Sequence, residues 1–327
     1  MEQYVLKINK VHKKYGDVSI LKDINLTVKP GEIIGIIGGS GSGKTTFLNT
    51  IVGFVKPEEG DVVFRQRHLV AGTEEHEDIY RSVYKKQNEF KKSYGFAAQV
   101  PSFYEKLTVK ENLEYFGELY GLGRESLTSN IKTLLKLLNL ENSANVLGKN
   151  LSGGMERRLD IACALIHNPE LLILDEPTAD LDPVLRKNIM DLLKKINEKG
   201  TTIILSSHHL NEMENVCSRI AVVMDKTIKE VGTPEELKDK YLKNHQIIVQ
   251  THPGEYDKIK KEIEKKYKKK IDHVEIEEET LRVITEKPRE IINELIKLIE
   301  NKQEKIIELK LVKPNLDQLF IALNEKK

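Results

Sequence analysis

Short continuous apolar runs punctuate a chain otherwise dense in charge. Residues 33–37 (Ile-Ile-Gly-Ile-Ile), 171–174 (Leu-Leu-Ile-Leu) and 201–205 (Thr-Thr-Ile-Ile-Leu) lack polar alternation, as strands buried on both faces require. A shorter run over 93–99 ends on Gln99. Helical patterns lie between these runs, over 45–52, 106–147, 157–166, 183–198, 211–217 and 234–243. Strands of this kind alternating with helices predict an α/β core. Alternating segments at 4–8, 24–28 and 62–64 predict further strands, and 219–224 with 227–231 a hairpin. Thr108 followed by Glu111 fits a capping box. The stretch 65–92 is polar, with Ile79, Val83 and Phe90 at helix-compatible positions. From about 245 the texture changes. Strand 246–250, helix 255–270, strands 274–277 and 281–284, helix 290–300 and strand 305–312 follow in the order of a ferredoxin-like βαββαβ unit. A last helix is expected over 315–323, after Pro314.

Composition narrows this little. The 327 residues leave room for two domains. The net charge of +1 supplies no global field for nucleic acid, and the Lys85-Lys86 and Lys91-Lys92 pairs suit a solvated face. The two cysteines, Cys163 and Cys217, form neither a disulfide framework nor a metal cluster, so a reducing cytoplasm is expected. No run of about 18 apolar residues occurs, so a membrane role has to come from a partner.

The chemistry is concentrated at the ends of the apolar runs. Gly38-Gly39-Ser40-Gly41-Ser42-Gly43-Lys44-Thr45 matches G-x-x-x-x-G-K-[ST] between a strand and a helix. Glycines let consecutive N–H groups point inward, and a helix N-terminus adds partial positive charge, so the segment suits the phosphates of a nucleotide. Lys44 is placed to reach the β- and γ-phosphates, and the Thr45 hydroxyl to hold Mg2+. Asp175 and Glu176 terminate a fully apolar strand. Asp175 suits Mg2+ through its waters, and Glu176 suits orienting and deprotonating an attacking water. Leu151-Ser152-Gly153-Gly154-Met155 precedes a helix and offers a second phosphate cradle, economically explained if it faces the nucleotide of a second copy.

Taken together, Gly38 to Thr45, Gln99, Leu151 to Met155, Leu171 to Glu176, Leu181-Asp182 and Ser207-His208 resemble the ATP-binding subunit of ABC transporters, over roughly residues 4–240. The resemblance implies a P-loop NTPase core of ABC type, residues 1–240, with a helical subdomain at about 100–165. The ferredoxin-like accessory domain would occupy 245–327. It implies that Tyr15 stacks on adenine and that Lys44, the loop amides and Thr46 hold the phosphates. Thr45, Gln99 and Asp175 would arrange Mg2+, Glu176 would be the catalytic carboxylate, and His208 would contact the γ-phosphate. Ser152, Gly153 and Gly154 would close on the ATP of an opposing head-to-tail copy, with Asp182 at the dimer contact. His209 is expected to be structural. Met155 stands where glutamine is commonest, and Asp180 where a small residue is common. The segment 65–92 is longer than usual, which suits contact with a partner or a surface arm, the arm being favoured. Lys313 to Ile321 resembles the C-terminal segment of drug, antibiotic and polysaccharide exporter ATPases.

The expectation is therefore an ATP-hydrolysing subunit, cytoplasmic and peripheral on the inner face of the membrane. It would dimerise around two ATP and power a separate integral membrane permease, with export as the direction. Two alternatives stand beside it: a soluble ABC-type ATPase not tied to transport, and an importer ATPase with a ligand-sensing C-terminal domain. For residues 245–327, packing against a twin is favoured over binding a small regulator.

Overall fold

The structure is a computed structural model describing residues 3–69, 76–208, 210–241, 245–277 and 279–312. His209 and residues 313–327, with the expected last helix and exporter-like segment, lie outside the described residues. The chain divides into two compact units, Met1–Thr233 and Pro234–Lys327. This division precedes the sequence boundary at 240–245 by about the length of one helix.

In the first unit the elements run β1 (Leu6–Tyr15), β2 (Val18–Val28), β3 (Ile33–Ile37), α1 (Lys44–Ile51), β4 (Glu59–Leu69), β5 (His76–Ser82), α2 (Gln87–Lys91) and β6 (Tyr94–Ala97). Then come α3 (Val109–Leu119), α4 (Arg124–Leu137), α5 (Gly153–Leu165), β7 (Leu171–Leu174), α6 (Pro183–Asn197), β8 (Thr202–Ser207), α7 (Leu210–Val216), β9 (Arg219–Met224) and β10 (Thr227–Gly232). Two sheets result. One is antiparallel in the order β2-β1-β4-β5; the other runs β10-β9-β3-β8-β7-β6. In the second sheet every neighbouring pair is parallel except the edge pair β10–β9. The continuous apolar runs are its central strands, and β3, β7 and β8 are buried at every position. Helix α1 lies between the sheets. Its Phe47, Leu48 and Ile51 share one core with Leu6, Ile8 and Phe64 of the antiparallel sheet and Ile34, Ile36 and Ile204 of the parallel one.

Several elements differ from the sequence expectation. The first strands are longer and form a hairpin turned at Gly16 and Asp17. Residues 76–82, expected as part of a helix-compatible stretch, form β5, paired with β4 from Val63↔Ser82 to Leu69↔His76. Cross-strand pairing against β4 outweighs the weak helical spacing of Ile79 and Val83. Helix α5 begins at Gly153, four residues before the expected start at 157. The helical stretch 106–147 is two α-helices separated by a turn. The first carries the expected box: the Glu111 N–H donates to Thr108 Oγ1 at 3.2 Å, and the Thr108 N–H donates to Glu111 Oε2 at 2.7 Å.

The second unit runs α8 (Pro234–Tyr241), β11 (His245–His252), α9 (Tyr256–Tyr267), β12 (His273–Glu277), β13 (Thr280–Thr285), α10 (Pro288–Asn301) and β14 (Lys305–Val312). Its sheet is antiparallel throughout, in the order β12-β13-β11-β14. Ile247, Val249 and Val283 of the sheet share a core with Ile259 and Ile263 of α9 and Ile291, Leu295 and Ile299 of α10. From β11 to β14 this is the ferredoxin-like arrangement.

Candidate active site

Parallel strands end on a common edge, and this edge gathers the chemistry. β3 runs into Gly38, β6 into Ala98 and Gln99, β7 into Asp175 and Glu176, and β8 into His208. The registers Ile37↔Ser207, Leu174↔Leu205 and Ala97↔Leu174 set these ends side by side. A cleft of about 730 Å³ opens there, lined by Ile20, Ser40 to Thr46, Gln99, Glu176 and His208. Ligands of open α/β sheets bind at such strand ends.

The glycine loop is shaped for a close approach. Gly43 precedes α1 with φ of 99°, a left-handed conformation that a side chain would strain. A Cβ at Gly38 would lie 2.4 Å from Ser42 Oγ and 2.6 Å from the Val223 carbonyl. Lys44 is buried, and its Nζ donates to the carbonyls of Gly38 at 2.9 Å and Gly39 at 3.3 Å. The same ammonium stands 3.6 Å from Glu176 Oε1. The other carboxylate oxygen, Oε2, shares a short hydrogen bond with His208 Nδ1. Lysine, glutamate and histidine thus converge on one point of the cleft. Asp175 is buried, and its Oδ1 accepts from Ser206 Oγ at 2.6 Å.

The residues fit the magnesium nucleotide that the motifs imply. Ser42 Oγ is a buried hydroxyl without a protein partner inside the loop. The Thr45 hydroxyl, Gln99 amide and Asp175 carboxylate are oxygen donors of the kind a hard divalent cation takes.

Other expected site residues stand elsewhere. Tyr15 is 52% exposed at the β1–β2 turn, with Lys13 Nζ 5.3 Å from its ring centre, and does not line the cleft. Ser152 and Gly153 are exposed at the start of α5, and the Ser152 hydroxyl makes no capping bond. Neither they nor Gly154 line the cleft. Asp182 caps α6, accepting from the N–H groups of Val184 at 2.9 Å and Leu185 at 3.0 Å.

Residues 21–179 match the family model described as ABC transporter. The chain is 34% identical over 233 residues to the linearmycin resistance ATP-binding protein LnrL of Bacillus subtilis, covering 71% of this chain and 70% of that one. The chain belongs to the ABC transporter family. It is an ATP-binding subunit of a transporter and an ATP hydrolase. A Nod factor export ATP-binding protein I of Bradyrhizobium diazoefficiens is 29% identical over 99% of this chain and 97% of its own. The methionine import ATP-binding protein MetN of Clostridioides difficile is 34% identical over 71% of this chain and 70% of its own. Family membership therefore leaves the direction of transport open. Among solved structures, cbiO1 of Clostridium perfringens, part of the ABC transporter complex cbiONQ, superposes with a TM-score of 0.63. It is 26% identical, covering 82% of this chain and 97% of that one.

Three side chains of this ABC subunit were not singled out in the sequence. Ser206 accepts from the Glu176 N–H at 2.9 Å while donating to Asp175, so one hydroxyl fixes both acidic residues. Its place in β8, two residues before His208, is the only sequence signal. Arg157 and Asp160, both buried on α5, clamp the Gln99 loop. Arg157 donates to the carbonyls of Ala98 at 2.9 Å and Gln99 at 2.8 Å. Asp160 Oδ1 accepts from the Ser102 N–H at 2.9 Å and hydroxyl at 3.0 Å, and its Oδ2 lies 3.6 Å from Arg157. Burial pushes the Asp160 carboxyl above its ordinary range, against the Ser102 bonds and the Arg157 charge. The clamp ties the exposed Ser152 and Gly153, at one end of α5, to the loop that presents Gln99.

Ser206→Ala should remove the bond that aligns Asp175 and leave two buried polar groups unsatisfied. A loss of roughly 1–3 kcal/mol in denaturant unfolding is expected; an unchanged midpoint would show that water replaces the hydroxyl.

Proposed function

We propose that two copies of this chain sandwich two ATP molecules and drive a membrane permease, in the direction of export. The observation that carries the sandwich is the separation of two phosphate cradles. The glycine loop, Lys44, Glu176 and His208 form a cleft, while Ser152 to Gly154 stand outside it with an uncommitted hydroxyl. A second copy placed head to tail would bring its Ser152 to Gly154 over the cleft of the first.

In that complex Lys44 would leave the loop carbonyls for the β- and γ-phosphates, and His208 would contact the γ-phosphate. Glu176 would accept the proton of the attacking water. Thr45, Gln99 and Asp175 would hold Mg2+, which neutralises charge developing on the phosphates. Asp182 would lie at the contact between copies, and Tyr15 would present its exposed ring to the adenine. Gln99 would report the nucleotide through the Arg157 clamp to α5.

Among the described residues no helix is long and apolar enough to cross a membrane, so the pump needs a partner. A groove of about 860 Å³, lined by Phe54, Phe96, Ala98, Ser102, Leu119 and Tyr120 among others, offers a docking face beside the Gln99 loop. Phe54 is 61% exposed there and Leu119 68%. Support for export comes from the Nod factor export relative, which aligns through the C-terminal unit, whereas the methionine import relative aligns over 71% of the chain. The subunit would sit on the cytoplasmic face of the membrane.

Membrane recruitment tests this. Co-expressed with a candidate permease, the wild-type chain should co-purify through detergent extraction, and Phe54→Glu should weaken that at least tenfold. A chain that never associates with the permease would overturn the assignment.

A further inference from the structure

Two rungs join the chain that follows β7 to the chain that follows β8. The first is the bond between Glu176 and His208 in the cleft. The second lies further along both segments, where the buried Thr178 hydroxyl donates to Glu212 Oε2 at 2.9 Å. Glu212 stands in the first turn of α7, the helix after His208. Its other oxygen, Oε1, accepts from Arg186 Nη1 at 3.2 Å. Arg186 belongs to α6, one turn after the Asp182 cap. Both oxygens of one part-buried carboxylate are thereby committed, and they tie the loop after Glu176 to two helices.

Glu176 needs such a hold. Its φ of 49° is left-handed, a conformation costly for a residue with a side chain and kept only where the surroundings fix it. Ser206 fixes the N–H side. On the other side the Glu176 carbonyl accepts from the Ala179 N–H at 3.1 Å, closing a turn that contains Thr178. Glu212 holds that turn against α7 through the Thr178 hydroxyl. We propose that Glu212 is a positioning residue for ATP hydrolysis: through Thr178 it sets the Glu176 carboxylate against Lys44 and His208. Arg186 keeps the Glu212 carboxylate turned toward Thr178. The role rests on Glu176 being the catalytic carboxylate, and not on how two copies meet.

ATP turnover and nucleotide affinity of the full chain test this, with each variant checked by thermal melting. Thr178→Val keeps the side-chain shape and removes the hydroxyl. Its kcat should fall about 10- to 100-fold, the scale of a displaced catalytic group, with KM and nucleotide affinity unchanged. Thr178→Ser keeps the hydroxyl and should recover the rate. Glu212→Ala should match Thr178→Val, and the two together should be no slower than either alone, since both cut one bond. Glu212 is less buried than Thr178, so Glu212→Ala carries the test if Thr178→Val does not fold. In a chain already carrying Glu176→Gln, adding either variant should change the residual rate by less than about twofold, because the group being positioned is gone. The same fractional loss in both backgrounds would mark the bond as merely structural and overturn the proposal, as would full turnover in Thr178→Val or Glu212→Ala. Full turnover in Glu176→Gln itself would instead overturn the assignment of Glu176, and with it this role.

Discussion

Glu176→Gln should leave ATP binding intact and slow hydrolysis roughly 100- to 10,000-fold, the range expected for loss of a general base. The substitution keeps size and hydrogen-bonding capacity, so His208 retains a partner. What it removes is the negative charge 3.6 Å from Lys44 and the site for a proton from water. The backbone at Glu176 has φ of 49°, and the Ser206 bond to its N–H holds the turn. Nucleotide affinity and phosphate release, measured on the same preparation, separate the effects. Unchanged turnover would take Glu176 out of the catalytic role.

Asp160→Ala should destabilise the first unit by about 3–5 kcal/mol, the usual cost of removing one partner of a buried ion pair. In melting temperature this is roughly 6–20 °C for a unit of this size. The Arg157 guanidinium would stay buried beside two carbonyls without its ion-pair partner on α5, and the Ser102 N–H would lose its acceptor. ATP turnover should fall as well, because the far end of the Gln99 loop is released. Calorimetry and steady-state rates report the two effects. A shift below about 0.5 kcal/mol would mean that water readily replaces the carboxylate.

The parts of this fold legible in the sequence were those under local constraint. The glycine loop declares itself because its backbone and its phosphate chemistry admit few residue types. β3, β7 and β8 declare themselves because burial on both faces erases alternation. The βαββαβ order of the last unit followed from helix and strand periods alone. Tertiary contacts decided what was misread. β5 exists because β4 extends far enough to pair with it, and nothing within residues 76–82 says so. The clamp stayed hidden because Arg157 and Asp160 lie 58 residues or more from the groups they hold. Ser206 was overlooked between two motifs, although one hydroxyl aligns both acidic residues.

The most direct measurement is a disulfide between opposing cradles. Ser40 lines the cleft and Ser152 opens the second cradle, and both are exposed. A chain carrying Ser40→Cys, Ser152→Cys and Glu176→Gln should give an intermolecular cross-link on adding ATP and far less without it. Equal cross-linking with and without ATP, or none in either case, would contradict a nucleotide held between two copies.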